Sequence, residues 1–258
     1  MVTVVVIPCR WNSRRLPGKP LLSVLKKPLI EQVYRRAARC RKASRVIVAT
    51  DDRRVERSVL DFGGEVVRTS VRPRTGSDRV AEVMKDIQAD AYVNLQGDEL
   101  ILEPEILDEL IEAFEGARPL EIGTLKQPIT DFKEVINPNV VKVVTDRKGD
   151  ALYFSRSPVP YIRNDGASGR TLFPKKSFRP GVYFKHLGIY IFDRDALNSF
   201  SQGASGVLEE REKLEQLRAL EMGLGIRVWE TRRRSLRIDT PADLKIAERA
   251  LRKYGADG

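Results

Sequence analysis

The sequence contains very little cysteine and histidine. Cys9 and Cys40 are its only cysteines, and His186 is its only histidine. Two cysteines are too few for a disulfide framework and lack the spacing of a metal-binding motif, so we expect both to be small buried side chains. A single histidine leaves almost no scope for zinc hydrolase motifs or Ser-His-Asp arrangements. Any metal that this chain binds is therefore expected to have oxygen ligands.

Long hydrophobic runs are also missing. The opening residues, MVTVVVIPCR, lack the basic and long apolar regions of a signal peptide, and no later run reaches membrane-spanning length. The 258 residues are 41% hydrophobic and 32% charged, a composition typical of a globular protein with little disorder. We expect a soluble, cytoplasmic protein, without a membrane partner, that folds as a single domain over residues 1–258.

The excess of positive charge raises the question of nucleic-acid binding. The formal net charge is +10, but the basic residues are spread along the chain, and the cluster TRRRSLR at 231–237 has no interleaved aromatic residues. A solvated basic surface is the favoured interpretation, and no nucleic-acid partner is expected. A basic nucleic-acid-binding α/β module stays as an alternative.

What the chain does have is a regular alternation of strands and helices. Runs such as VTVVVIP, RVIVAT and AYVNLQ are continuously apolar, as strands buried on both faces are, and helix-length amphipathic segments separate them. This order predicts an α/β fold with an open, mostly parallel, Rossmann-like sheet. Two later apolar runs are separated only by RKGD, which predicts a β-hairpin. We interpret residues 137–190, approximately, as a lobe inserted into the single domain.

Charged loops follow several of the predicted strands. Ligands of open parallel sheets gather at the carboxyl ends of the strands, where this chain has a cationic loop, PCRWNSRRLPGKP, and an acidic one, GDE. Neither G-x-x-x-x-G-K-[ST] nor G-x-G-x-x-G is present after the first strand. Side chains must therefore hold any phosphates, and Arg10, Arg15 and Lys19 are the candidates.

The cationic loop resembles a known family. The spacing R-x-x-S-x-R-L-P-G-K-P of residues 10–20 is similar to that of the sugar-acid cytidylyltransferases, above all the 3-deoxy-manno-octulosonate (KDO) cytidylyltransferases, or CMP-KDO synthetases. Further blocks resemble this family in the same order along nearly the whole chain: VATDD (48–52), TGSDR (75–79), VNLQGDE (93–99), NPNVVKVV (137–144), ALYFSRSPVPY (151–161), KHLGIY (185–190), LEQLR (214–218) and DTPADL (239–244). The resemblance implies a sheet of the nucleotidyltransferase type with an inserted β-hairpin lobe for sugar binding and dimerisation.

The resemblance implies a magnesium cofactor held by Asp98 and Asp239. Each residue also has a structural alternative, Asp98 as a turn former and Asp239 as the cap of a last helix that Thr240 could equally cap. Two carboxylates, several waters and substrate phosphates form an ordinary magnesium coordination set.

The resemblance also implies a nucleotide site that binds CTP. Its candidate residues are Arg10, Ser13, Arg15, Lys19, Ser77, Arg79 and Asp98. The alternative for TGSDR is a plain loop-to-helix cap, with Ser77 as the capping residue and Asp78 in the first turn. Arg15 and Lys19 are further implied, with Asp98 and Asp239, to be catalytic, because fixed cations suit a departing pyrophosphate.

A third set of residues is implied to face a sugar acid: Gln96, Arg156, His186, Tyr190, Glu215 and Gln216. Each has an ordinary alternative. Gln96 could be a buried structural amide, His186 a core histidine, and Arg156 the partner of a neighbouring acid. The segment EEREKLEQLRALEMG (209–223) predicts a helix. Glu215 and Gln216 are adjacent on it and point in different directions, so one of them is expected to contact the sugar more strongly.

The implied reaction is the transfer of CMP from CTP to the anomeric hydroxyl of KDO, which releases pyrophosphate and supplies CMP-KDO for lipopolysaccharide synthesis. The implied assembly is a homodimer. One rival interpretation is the same transfer to 8-amino-KDO or a sialic acid. Another is a glycosyltransferase, but the TDD of this sequence matches the usual paired-aspartate metal motif of such enzymes only weakly. Three residues depart from the family's usual pattern, Cys9, Leu100 and Arg237, and none of these changes removes a charge that the chemistry needs.

Overall fold

A computed structural model describes residues 1–11, 16–101, 103–163 and 178–254. The chain divides into two compact units. The first unit comprises Met1–Gly123, Gly188–Gln202 and Arg233–Gly258, and the second comprises Thr124–Leu187 and Gly203–Arg232. The interpretation as one domain with an inserted lobe stays a prediction.

Strands and helices alternate through the described residues. The strands are β1 (Thr3–Cys9), β2 (Ser23–Val24), β3 (Lys27–Pro28), β4 (Arg45–Thr50), β5 (Val66–Arg68), β6 (Ala91–Leu95), β7 (Glu99–Ile101), β8 (Ile122–Pro128), β9 (Lys142–Thr145), β10 (Ala151–Ser155), β11 (Phe184–Asp193), β12 (Ile226–Glu230) and β13 (Ser235–Arg237). The α-helices are α1 (Leu29–Ala37), α2 (Arg53–Asp61), α3 (Gly76–Asp86), α4 (Glu105–Gly116), α5 (Phe132–Ile136), α6 (Arg194–Gln202), α7 (Val207–Glu212), α8 (Gln216–Glu221) and α9 (Pro241–Tyr254).

The first unit is built on a mostly parallel sheet with β1 at its centre. Strand β1 pairs in parallel with β4 and β6, and β4 pairs in parallel with β5. The β11 residues from Ile189 to Asp193 pair antiparallel with β6. Every residue of β1 and of β6 is buried, which explains why their sequences are apolar without alternation. The prediction of an α/β fold with a mostly parallel sheet is confirmed.

The second unit contains the predicted hairpin. Strands β9 and β10 pair antiparallel, with a register irregularity between Ala151 and Tyr153. Strand β12 pairs with β8. The turn between β9 and β10 has Gly149 at a φ of +90°, a conformation that favours glycine. The hairpin at RKGD is therefore confirmed.

Helix α3 begins two residues earlier than the capping alternative for TGSDR assumed. Thr75 is the N-cap, and its hydroxyl accepts a hydrogen bond from the backbone N–H of Asp78 at 3.2 Å, while the Asp78 carboxylate accepts one from the N–H of Thr75 at 3.0 Å. Ser77 as the capping residue was wrong. A reciprocal capping box satisfies two N–H groups, which a cap at Ser77 would have left open.

The segment from 207 to 221 is broken into two short helices instead of the one predicted from EEREKLEQLRALEMG. Lys213, between α7 and α8, has a left-handed backbone conformation with a φ of +54°. The carbonyl oxygens of Glu212 and Lys213 accept hydrogen bonds from the Arg156 guanidinium, at 2.6 and 3.3 Å. Tertiary hydrogen bonds in this unit take carbonyls that a continuous helix would have used.

The last helix begins at Pro241, as predicted. Thr240 provides the cap: its hydroxyl accepts from the N–H of Asp243 at 3.3 Å, and the Asp243 carboxylate accepts from the N–H of Thr240 at 2.7 Å. The side chain of Asp239 is consequently available for other contacts. In the described parts of the chain, helices are too short or too polar to cross a membrane.

Candidate active site

A cavity of about 440 Å³ lies in the first unit, at the carboxyl ends of β1 and β6. Its lining includes six charged residues: Arg10, Lys19, Arg74, Arg237, Asp98 and Asp239. Four of these carry positive charge and two carry negative charge. A cavity with excess positive charge and two carboxylates suits a polyphosphate and an associated cation.

Lys19 lies between the two carboxylates. Its ammonium Nζ is 2.7 Å from Asp98 Oδ2 and 3.2 Å from Asp239 Oδ1. Lys19 itself is buried, while both aspartates keep a small exposed fraction. The positive ammonium offsets the repulsion that two neighbouring carboxylates would otherwise exert on each other.

Strand pairing brings Asp98 and Asp239 together across a long separation in sequence. Strands β7 and β13 pair antiparallel, with Glu99 opposite Arg237. Asp98 directly precedes β7, and the N–H of Ile238 donates to the Asp98 carbonyl at 2.9 Å. The acidic loop also passes close to β1, because a Cβ at Gly97 would lie only 3.0 Å from the Pro8 carbonyl oxygen. Only glycine fits this approach without a shift of the backbone.

The turn that presents Lys19 depends on Gly18. Gly18 has a φ of +67°, and a Cβ there would lie 3.0 Å from Cη2 of the Trp11 ring. The same side chain contacts Arg54, whose guanidinium carbon lies 3.5 Å from a Trp11 ring centroid. Asp52 holds Arg54 in place by two side-chain hydrogen bonds of 2.6 and 3.0 Å. This stack fixes the backbone from which Lys19 reaches the carboxylates.

Two other cations of the cavity are tied to the loop before α3. Arg10 donates from Nη2 to the carbonyl oxygen of Pro73 at 2.7 Å. Arg74 lies 3.7 Å from the Asp78 carboxylate and contacts the cavity from that loop. The predicted nucleotide residues Ser13 and Arg15 lie outside the described residues.

Ser77 and Arg79 are buried beneath the same loop. The Ser77 hydroxyl accepts from Asn94 Nδ2 at 2.9 Å, and both side chains are almost completely inaccessible. Arg79 Nη1 lies 3.4 Å from the Asp51 carboxylate and donates to Thr69 Oγ1. These contacts hold the loop, and the predicted contacts of Ser77 and Arg79 with a nucleotide stay predictions.

Two predicted sugar residues, Gln96 and Tyr190, belong to the first unit. Gln96 lines the cavity, and its amide group lies against Gly76 at the start of α3. Tyr190 is buried in β11, opposite Asn94 of β6, with its ring tilted against Phe192.

The other four predicted sugar residues, Arg156, His186, Glu215 and Gln216, belong to the second unit. His186 Nε2 lies 3.0 Å from Thr124 Oγ1, and its ring meets Phe154 edge-on at 5.0 Å. Arg156 donates to the carbonyls of Glu212, Lys213 and Pro138.

The Glu215 and Gln216 side chains differ in exposure. Glu215 is the half-buried N-cap residue of α8, and Gln216 is buried in its first turn. The contacts of these four residues with a sugar stay predictions.

Two charged residues that line the cavity were not assigned to the site from the sequence, Arg74 and Arg237. Arg237 is the one that contacts the carboxylate pair. Its Nε lies 3.1 Å from Asp239 Oδ2. Alternate residues of an extended chain point to the same face, so the Arg-x-Asp pattern at 237–239 was the signal that could have found it.

Cys9 also lines the cavity, and its thiol has a raised pKa. Burial, together with the charge of Asp98, raises the pKa of Cys9 far above its usual range. Because the thiolate is the nucleophilic form, this raised pKa disfavours Cys9 as a nucleophile. Both cysteines are buried, as predicted.

Glu99 is a third carboxyl group close to this site. Burial raises the pKa of Glu99, and the charges of Asp98 and Asp239 add to this effect. The Ser235 hydroxyl donates to Glu99 Oε1 at 2.5 Å and, with Arg237, opposes the increase. The Glu99 carboxyl group is thus hydrogen-bonded to Ser235 on β13, whereas Asp98 and Asp239 line the cavity.

Known proteins share this fold and sequence. The chain matches the model of the Cytidylyltransferase family over residues 4–230. It is 46% identical to the 3-deoxy-manno-octulosonate cytidylyltransferase of Geobacter metallireducens, over 98% of this chain and 99% of that protein. The solved structure of CMP:2-keto-3-deoxy-manno-octonic acid synthetase complexed with CTP superposes with a TM-score of 0.87, at 40% identity, over 98% of this chain and 99% of the other.

The structure of the inositol-1-phosphate CTP transferase from T. maritima has a TM-score of 0.67 at 16% identity, covers 98% of this chain and 96% of its own, and shares the fold alone. The fold, with its cation-lined cavity at the strand ends, defines a nucleotidyltransferase of the cytidylyltransferase class. Within that class the chain belongs to the 3-deoxy-manno-octulosonate cytidylyltransferase family.

The Gly18 turn yields a stability prediction. Gly18→Ala should destabilise the protein by about 1–2 kcal/mol, because an L-residue is strained at positive φ and its Cβ would press on Trp11. Denaturant unfolding followed by circular dichroism measures the change. Gly116→Ala is the matched control, since a Cβ there meets no atom within 4 Å. Equal stabilities of the two variants would contradict the role assigned to Gly18.

Proposed function

We propose that this chain transfers CMP from CTP to the anomeric hydroxyl of KDO and releases pyrophosphate. The relatives support both substrates, since one is named as a cytidylyltransferase for 3-deoxy-manno-octulosonate and a synthetase of known structure is complexed with CTP. The observation that carries the proposal is the arrangement of Lys19, Asp98 and Asp239 in a cavity lined by further cations.

The cations of the cavity bind the triphosphate of CTP in this proposal. Lys19 and Arg10 project from the loop after β1, and Arg74 projects from the loop before α3. Charge-assisted hydrogen bonds from such groups replace the backbone N–H groups of a P-loop. The same cations offset the negative charge that accumulates on the departing pyrophosphate, so they favour the transition state as well as binding.

The carboxylate pair fits a magnesium ion. Asp98 and Asp239 already direct oxygens at a single cation, the Lys19 ammonium, so both can contribute to one cation site. In the described residues no group of three or more His, Cys, Asp or Glu side chains is arranged to hold a metal. Magnesium needs only one or two carboxylates, because water and substrate phosphates complete its coordination. When bound, magnesium supplies Lewis acidity that lowers the pKa of a hydroxyl nucleophile.

The remaining steps fall to the side chains of this chain. Asp98 and Asp239 would hold the metal, and Lys19 and Arg10 orient the phosphates for in-line attack on the α-phosphorus. Within the first unit, the expected sugar contacts come from Gln96 and Tyr190. The product, CMP-KDO, would serve lipopolysaccharide synthesis in the cytoplasm.

A pyrophosphate-release assay tests this function. We expect pyrophosphate only when CTP, magnesium and a 2-keto-3-deoxy sugar acid are all present, with KDO as the best acceptor. The assay crosses CTP, UTP, ATP and GTP with KDO, 8-amino-KDO and N-acetylneuraminate.

Asp98→Asn should reduce turnover by about 100-fold or more, because it removes a charge from the metal site. Asp61→Asn, on the exposed face of α2, is the matched control and should retain activity.

Other outcomes of the pyrophosphate assay would change or contradict the proposed function. Preference for 8-amino-KDO or N-acetylneuraminate would change the acceptor, and a faster reaction with another nucleotide would overturn the assignment of the base. Absence of pyrophosphate in every combination would contradict the proposed function. Salt-sensitive binding to DNA or RNA would then favour the nucleic-acid-binding alternative.

We also propose that the second unit carries a homodimer interface. Leu152 on β10 and Tyr161 after it are both largely exposed, with about 63% and 62% of their surface accessible. Large apolar side chains on an edge strand are commonly covered by a symmetric partner. Sedimentation velocity at micromolar concentration should therefore give the mass of a dimer. A monomer at that concentration would contradict the proposal.

A further inference from the structure

Asp239 is held by cations on both of its oxygens. Lys19 Nζ lies 3.2 Å from Oδ1, and Arg237 Nε lies 3.1 Å from Oδ2. Lys19 also contacts Asp98 Oδ2 at 2.7 Å. The carboxylates proposed to hold magnesium are thus already paired with two positively charged side chains.

This pairing opposes the binding of a divalent cation by itself. Such an ion would have to displace three ion pairs and would then lie beside an ammonium and a guanidinium, and like charges at these separations repel strongly. The free energy that the site gains from a metal is therefore reduced as long as Lys19 and Arg237 remain on the aspartates.

A polyphosphate offers the two cations other partners. Arg237 lines the cavity, 48% of its side-chain surface is exposed, and its long side chain can reorient. The cavity lining has more positive than negative charge, so it attracts an anion before it attracts a cation. Guanidinium groups bind phosphate oxygens in a bidentate manner, which compensates for the loss of the Asp239 contact.

We infer that Arg237 is a further nucleotide-binding residue of this site, which pairs with Asp239 in the free protein and moves to the triphosphate when CTP binds. Its departure, with that of Lys19, frees the carboxylates for the metal. Triphosphate and divalent cation therefore bind with positive coupling. This inference rests on the proposed metal and nucleotide sites.

Replacement of Arg237 should change the two affinities in opposite directions. Arg237→Gln should bind manganese(II) alone about tenfold more tightly than the unmodified protein, because Asp239 loses a competing cation. The same variant should bind CTP in the presence of EDTA about tenfold more weakly, because the triphosphate loses a ligand. Electron paramagnetic resonance of free manganese measures the first affinity, and isothermal titration calorimetry the second. Misfolding would weaken both, so the opposite signs identify the role.

Three further variants make the test specific. Arg74→Gln removes the same charge from the cavity lining, but Arg74 lies next to Asp78, so CTP binding should weaken while manganese affinity changes less than threefold. Arg237→Lys should restore CTP affinity to within threefold of the unmodified protein. Asp239→Asn should lose manganese binding in the absence of nucleotide.

The inference is overturned if Arg237→Gln leaves either affinity unchanged, if both fall together, or if Asp239→Asn still binds manganese like the unmodified protein. These outcomes are separate from those of the pyrophosphate assay. A preparation that makes CMP-KDO but shows no opposite shifts would retain the proposed function and remove the role of Arg237. Opposite shifts without pyrophosphate release would retain Arg237 as a nucleotide ligand and remove the proposed reaction.

Discussion

The contact of the Lys19 ammonium with Asp98 and Asp239 is the interaction on which the candidate site depends. Without a positive charge between them, two carboxylates this close would repel each other and push apart the acidic loop and the start of α9. Lys19 reaches them because Gly18 allows the preceding turn and the Trp11 ring packs against it. The backbone conformation at Gly18 therefore determines whether Lys19 can pair with both aspartates of the cavity.

The same pairing connects structure with chemistry. A nucleotidyl transfer needs cations for a triphosphate and carboxylates for a metal, and in this structure two of the cations pair with the two carboxylates. Burial of the Lys19 ammonium would be costly if its charge were isolated, and pairing with the two carboxylates offsets that cost. The paired state also explains how a strongly basic chain keeps two acidic side chains directed into a cationic cavity.

Much of the first unit follows from sequence. The continuous apolar runs of β1 and β6 predict strands buried on both faces, and the position of charged loops after parallel strands predicts where a ligand site forms. Tertiary contacts explain where the sequence-based predictions differ from the structure. The helix predicted across Lys213 is broken because the Arg156 guanidinium takes carbonyl hydrogen bonds there. The cap of α3 is Thr75 and not Ser77, because Asp78 returns a hydrogen bond to the N-cap. Arg237 lies at the site because β13 pairs with β7, and short-range sequence patterns do not specify that pairing.

A crystal structure of the protein with CTP and magnesium would show whether Lys19 leaves the two aspartates when the ligands bind. In that structure Asp98 and Asp239 should bind the metal, and the Lys19 ammonium should have left the space between them for a phosphate oxygen of the nucleotide. A structure in which CTP and magnesium are bound while Lys19 still bridges the two aspartates, or in which the metal has no contact with either carboxylate, would contradict this prediction.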